Sequence, residues 1–383
     1  MQHNGETIQE SPKISLDVIF MKNTKHLFKI MLVLAVVATV IFTFACCGKQ
    51  EAPEQTTQAT TEETTLPEEP EVYVNRLTGL DDLSEDAIGK RPIAVMINNI
   101  KKALPQYGIG SADLMFEMLT EGGITRMMAV YADQTKIPNV CTVRSCRYYY
   151  PIFAHGLDAV YFCFGSNETI GTPTLKRIGI DYLDGNQLGD SLIYARDPER
   201  LKKYGSEHTV YLKGQNMSQI LEKYDIRSEY KEEKDTPIFL FNKEGELTKG
   251  DVACDKVNLA FSNAYYSTFN YDKETKTYKK LHSGNAHIDS ATGEQLAYKN
   301  IFVLETDVSQ YKDTILVQID WKGGTGYYIS NGTSQKITWE KPTEDSTIKV
   351  YDADGEELKV NPGNSYIGVI NEGRTTITAA QAN

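Results

Sequence analysis

Apolar positions along this 383-residue chain change their spacing three times, and each change marks a different kind of segment. Ile30 to Phe44 is an uncharged apolar run behind Lys22, Lys25 and Lys29. Its length suits a signal h-region and is short for a spanning helix. Residues 49–72, KQEAPEQTTQATTEETTLPEEPEV, hold almost nothing apolar. Such a segment cannot offset the entropy of ordering, so it reads as a disordered tether.

From about residue 76 short apolar runs alternate with helical stretches. RPIAVMINN (91–99) reads as a strand bounded by Pro92 and the turn-prone Asn98–Asn99 pair. Ser111 is placed to cap a helix through Leu119, with Leu114, Met115, Met118 and Leu119 on one side and Asp113 in its first turn. Gly122–Gly123 stops it. ITRMMAVYAD (124–133) returns to strand, CTVRSCRYYYPIF leads into a helix ending near Gly156, and DAVYFCFG (158–165) is a buried strand. Further helices are expected around Thr172–Ile178 and Met217–Tyr224. This alternation predicts an α/β domain over 76–232, with helices on a mainly parallel or mixed sheet. After KEEKDTP (231–237) nearly every segment reads as strand, among them a hairpin of Ser267–Tyr271 with Tyr278–His282 and a turn at Asp354–Gly355. The second expectation is therefore an all-β antiparallel domain over 236–383.

Charge refines this picture. The net charge is −12, and seven glutamates with no base fall within residues 50–71. The folded part is mildly acidic with no Lys/Arg block, which argues against nucleic acid, because neutralising phosphates needs a clustered basic surface. Tyrosine is frequent at 23 against 13 phenylalanines, as suits exposed strands and binding grooves alike.

The apolar run ends at Ala45–Cys46, which resembles a lipobox: the cysteine thiol takes a diacylglycerol and becomes the mature N-terminus. Thr43 stands where lipoboxes usually carry Leu. Cys47 is the alternative lipidation residue, with Phe44 in that place and Cys46 before the cut. An uncut signal anchor is the other reading, and both put the folded part on the extracytoplasmic face of a cell membrane. Residues 1–20 fit no export signal and read as an upstream extension, with Met21 the expected start, 21–45 the signal peptide and 46–75 the tether.

Candidate chemistry concentrates in arginines. Arg126 follows the Gly-Gly turn, Arg144 and Arg147 flank Ser145, and Arg196, Arg200 and His208 fall in a polar stretch. A guanidinium matches phosphate or carboxylate bidentately. Asp113, Glu117 and Glu121 are spaced four apart, hence on one flank of the expected helix. Three readings follow: a binding or scaffolding site for an anionic cell-envelope polymer or lipid-linked anion; a phosphoryl- or polymer-transferase using the same arginines; or a structural module in which they pair with Asp113, Glu117 and Glu121. No phosphate-binding glycine loop appears in a strand–turn–helix setting, so no nucleotide cofactor is implied; GGTG (323–326) reads as a turn. His282 and His287 are assigned to a surface turn rather than to a metal, and no metal site is expected. Ser145 has no evident base. Cys141, Cys146, Cys163 and Cys254 are expected as free, mostly buried thiols.

The segments RPIAVMINN, ADLMFEMLTEGGITRMMAVY and TVRSCRYYYPIFAHGLDAVYFCFG resemble those of the YerB-like bacterial lipoproteins. The second half is similar too, through Tyr278, the Gly293 turn before Asn300, GTGYYISNG, ITWEK and LKVNPGNSYIGVI. The resemblance covers most of residues 76–370 and implies paired N- and C-terminal domains on a lipid-anchored protein of unknown function. The chain departs from the family pattern in three places: Cys146 replaces a small residue, Glu207 and Thr209 flank His208 in place of Pro and Asn, and Lys280 stands where arginine is common.

Overall fold

The computed structural model describes residues 74–379. The signal segment, Cys46, Cys47, residues 1–20 and the acidic tether to residue 72 lie outside the described residues. Among the described residues no helix is long and apolar enough to cross a membrane.

The first half supplies β1 (Ile93–Asn98), β2 (Leu114–Leu119), β3 (Thr125–Tyr131), β4 (Val160–Cys163) and β5 (Tyr182–Asp184) to one sheet. Its longer helices are α1 (Tyr149–Gly156), α2 (Gly171–Ile178), α3 (Pro198–Tyr204) and α4 (Met217–Lys223). β1 runs antiparallel to β3 and parallel to β4, so this part of the sheet is mixed. From the second half come β6 (Lys256–Ala260), β7 (Tyr266–Asp272), β8 (Thr277–His282), β9 (Asn300–Thr306), β10 (Gly323–Ser330), β11 (Thr333–Glu340), β12 (Ser365–Asn371) and β13 (Thr375–Thr378).

These halves share one sheet. Its central order is β11-β10-β9-β12-β2-β3-β1-β4-β5, eleven strands in all with the short strands at its edge. β12 is the seam: it lies parallel to β9 on one side and to β2 on the other, Ile367 sitting between Phe302 and Phe116. Antiparallel pairing thus dominates the second half without being exclusive, since a β12 arriving from a distant part of the chain meets both neighbours in the same sense. On one face the sheet is covered by α1 and α2 through Tyr149, Tyr150, Phe153 and Leu175. A second sheet, β8-β7-β6-β13 with short flanking strands, packs over the other face through Val257, Leu259 and Phe269.

Two expectations are corrected here. In place of the helix expected over 111–119, residues 114–119 form a strand, β2. Leu, Met and Glu are good helix formers, but five of the six β2 residues are buried. A strand covered on both faces loses its two-residue alternation, so its apolar run imitates a helix. Likewise GGTG (323–326) is the start of β10, not a turn. A Cβ on Gly326 would lie 1.9 Å from the Val303 carbonyl oxygen, so the glycine permits a backbone approach that a side chain would block.

Because β12 joins both halves, they should unfold together. Ile367, 1% exposed, becomes a cavity in Ile367→Ala at a cost of about 2–5 kcal/mol. In urea, hydrogen exchange read in β1 and in β7 is expected to move to a lower midpoint together. Two separate midpoints would show that the seam does not couple the halves.

Candidate functional site

β1 and β4 pair in parallel only over Ile93–Val95. Beyond that they part, and residues 142–146 fill the gap. The Asn98 amide donates to the Thr142 carbonyl (2.9 Å), the Arg144 amide to Met96 (3.0 Å), the Phe164 amide to Arg144 (3.1 Å) and the Cys146 amide to Gly165 (2.9 Å). On the far side of β1, antiparallel β3 begins at the same end, with Arg126 opposite Asn98. Arg126, Arg144 and Arg147 therefore meet at the carboxyl ends of the parallel strands β1 and β4, where ligands gather in sheets of this kind.

Their partners differ. Arg147 grips Glu121 with Nε at 2.8 and 2.7 Å from the two carboxylate oxygens, and Nη2 at 2.7 Å. Arg144 pairs with Glu207 at 2.6 Å in a more exposed position. Arg126 is buried and donates to the Ser145 carbonyl at 2.7 Å. Among the described residues no carboxylate lies within ion-pair distance of it. Burial, then the nearby Arg147 charge, lowers its pKa to about 10, so it stays charged at neutral pH. Arg196 lies 5.6 Å from the Phe164 ring centroid and donates to the Ser206 carbonyl and Thr209 Oγ1. Arg200 donates to the Ala103 and Pro105 carbonyls, holding that loop. His208 has a left-handed backbone (φ 61°). Its Nδ1 accepts from Asn98 Nδ2 at 2.8 Å, which leaves Nε2 protonated and 3.7 Å from Glu207. Burial holds the His208 pKa below its ordinary value.

The three acids do not share a flank. Asp113 precedes β2 and accepts from Asn75 Nδ2 (2.9 Å) and the Ala132 amide (2.8 Å); burial raises its pKa to about 6. Glu117, in mid-strand, turns away from the arginines. Only Glu121 joins them. The helix expected to align these acids is a strand followed by a turn, and the alignment fails with it.

Glu117 heads a buried network that links the two halves. Its Oε1 accepts from Asn99 Nδ2 (3.0 Å) and Thr125 Oγ1 (2.8 Å), and its Oε2 from Ser267 Oγ (2.8 Å) and Tyr366 (2.7 Å). Lys280 Nζ lies 3.3 Å away, with both side chains almost fully buried. Burial alone would raise the Glu117 pKa; the Lys280 ammonium and the hydrogen bonds outweigh it, and the carboxylate stays ionised.

His282 and His287, expected at a surface turn, are 3% and 1% exposed. His282 Nε2 meets the Asn99 carbonyl at 2.8 Å and His287 Nε2 meets Gln106 Oε1 at 2.9 Å, which leaves the buried His287 Nδ1 without a partner. The burial of β8 alternates, with Tyr278, Lys280 and His282 facing inward. That face carries a lysine and a histidine, so no apolar periodicity signalled it. All four described cysteines are free and buried.

Removing one partner of the Glu117–Lys280 pair strands the other charge. Glu117→Gln and Lys280→Met are each expected to cost about 3–5 kcal/mol, and the double variant clearly less than their sum. A urea double-mutant cycle reads the coupling; additive losses would deny it.

The histidines make a second prediction. Burial holds His287 well below its ordinary 6.5, and His282 below it too. Above pH 6.5 both states are neutral and nothing is lost. Below it the unfolded chain binds protons that the native chain refuses. Stability then falls with pH by up to about 1.4 kcal/mol per unit and histidine. His287→Gln should flatten that slope in denaturant titrations between pH 7 and 5 (roughly the unfolded titration range), and an unchanged slope would contradict the assignment.

Comparison with known proteins places this arrangement in a family. Residues 77–227 match the model described as "Protein of unknown function (DUF3048) N-terminal domain" and residues 257–367 its C-terminal counterpart. The chain is 28% identical over 297 residues to "Putative lipoprotein YerB" of Bacillus subtilis, covering 77% of this chain and 85% of that one. It is also similar to a crystal structure of the YerB protein from Bacillus subtilis. There the TM-score is 0.68 at 25% identity, with 80% of this chain and 99% of that chain covered. Both family models match in order along one chain whose fold follows that structure, and the protein belongs to the YerB-like family.

Proposed function

We propose that this protein is a lipid-anchored extracytoplasmic lipoprotein that binds or scaffolds an anionic cell-envelope component at Arg126, Arg144 and Arg147. The carrying observation is Arg126: a buried guanidinium beside two others, with a backbone carbonyl as its only hydrogen-bonded partner among the described residues and the Arg147 charge pressing on it. A buried cation crowded by like charges gains from an anion more than a solvated one does. The lipid on Cys46, with Cys47 as the alternative, would hold the site near envelope lipids and polymers, as the lipoprotein name of the Bacillus subtilis relative supports. Binding is favoured over a phosphoryl- or polymer-transferase because Asp113 and Glu117, the acids such chemistry would use, are engaged away from the arginines.

The test is binding of the folded region to wall polymers and to inorganic pyrophosphate by calorimetry. Arg144→Gln and Arg147→Gln are each expected to weaken affinity roughly 10- to 100-fold, the loss of one charge-assisted contact. Arg144→Gln should leave the melting temperature nearly unchanged, since its ion pair is exposed. Anion affinity that ignores both substitutions would refute the site.

A further inference from the structure

Glu121 and Glu207 both pair with arginines of this cluster, but in different settings. Glu207 is 58% exposed, whereas Glu121 and Arg147 are 13% and 18% exposed. Glu121 also stands directly before Gly122 and Gly123, whose φ angles are 74° and 71°. A Cβ on Gly122 would meet nothing within 4 Å, whereas one on Gly123 would touch Ser262 at 3.5 Å, so the turn has open space at the residue next to Glu121. The charges do not balance. Arg126 and Arg147 are neighbours, and Glu121 is a single carboxylate whose oxygens are both taken by Arg147.

Resting on the anion-binding reading above, we propose that Glu121 is a displaceable internal counter-ion. Its natural competitor is a phosphoryl dianion, which replaces it on Arg147 and reaches Arg126 as well. A dianion neutralises both guanidinium charges where a carboxylate neutralises one. Its additional oxygens accept from the second fork while the first stays satisfied. Glu121 then swings out on the two glycines, whose positive φ values need no Cβ to be accommodated. The turn is also tied to the second half: Ser262 Oγ donates to the Gly123 carbonyl at 2.6 Å and accepts from the Ala264 and Tyr265 amides. Tyr265 in turn packs edge-on against His282 at 5.7 Å. Displacement of Glu121 therefore disturbs the 262–265 turn, and binding at the arginines is felt by the other half of the molecule.

The experiment compares wild type, Glu121→Gln and Glu207→Gln for binding of inorganic phosphate, inorganic pyrophosphate and acetate. It adds phosphatidylcholine vesicles with and without phosphatidic acid, which separate a lipid headgroup from a soluble phosphate. Glu121→Gln is expected to bind the phosphoryl ligands roughly tenfold more tightly than wild type, the gain from removing one competing charge-assisted contact. Glu207→Gln should change affinity less than about twofold, as an exposed ion pair is screened, and acetate should gain little from either variant. Hydrogen exchange on wild type gives a second reading that does not depend on any variant folding: amides at 121–124 and 262–265 should exchange faster with pyrophosphate bound. If wild type binds phosphoryl ligands but Glu121→Gln does not tighten binding, or those amides are unmoved, the counter-ion inference is wrong while the anion site stands. If neither wild type nor Glu121→Gln binds any phosphoryl ligand, the anion site itself is wrong.

Discussion

The Glu117 carboxylate is the constraint on which the rest of the molecule depends. A charge removed from water costs several kcal/mol unless its lone pairs are met. Here they are met from both halves: Asn99 and Thr125 from the first, Ser267, Tyr366 and Lys280 from the second. Neither half alone can satisfy it. The same strand that carries Glu117 pairs with β12, so the ionic and the backbone links fall in one place. The two family-matched segments are thereby fused across a shared sheet, with a charged centre that rejects other registers of β12 against β2. A one-residue slip of β12 would turn Tyr366 to the opposite face and leave Glu117 short of a donor.

That fusion also sets the arginine site. β3 leaves the Gly122–Gly123 turn at the end of β2, so the position of Arg126 is inherited from the strand that Glu117 anchors. From the other side, the parting of β1 and β4 admits residues 142–146 and brings in Arg144 and Arg147. The convergence is thus made by backbone geometry, and the guanidinium groups need no direct contact with one another to be held close. The buried polar network and the arginine cluster lie at successive positions along the same chain segment. Ser262 bonds the turn between them.

How far this was legible in the sequence depends on the kind of signal. β1, β3, α1 and α2 show in the sequence because their apolar runs end at prolines, asparagines or glycines that mark turns. So does the grouping of Arg126, Arg144 and Arg147, since each sits at a strand end or at a strand-to-helix junction. β2 was illegible: burial on both faces erased its alternation, and Leu, Met and Glu favour a helix when tertiary pairing is unknown. With β2 misread, Asp113, Glu117 and Glu121 were grouped on a flank that does not exist. The histidines failed for another reason. Burial of Lys280, His282 and His287 depends on Glu117, Asn99 and Gln106 more than 150 residues away, and local sequence carries no trace of such partners.

Glu117 and Glu121 show how two carboxylates one short step apart acquire opposite characters. Glu117 meets five groups, four on strands and Asn99 directly after β1, so releasing it would strand an ammonium, two hydroxyls, an amide and a phenol in a dry interior. Glu121 meets one guanidinium, mostly shielded from water, on a turn with open space at Gly122. The first is too costly to move and specifies the fold. Under the counter-ion proposal the second yields to an anion that satisfies Arg147 equally and Arg126 in addition. The asymmetry lies in the number of partners and the stiffness of the backbone, not in the acids themselves. It explains why one of these acids belongs to the architecture and why the other is the one proposed to yield to a ligand.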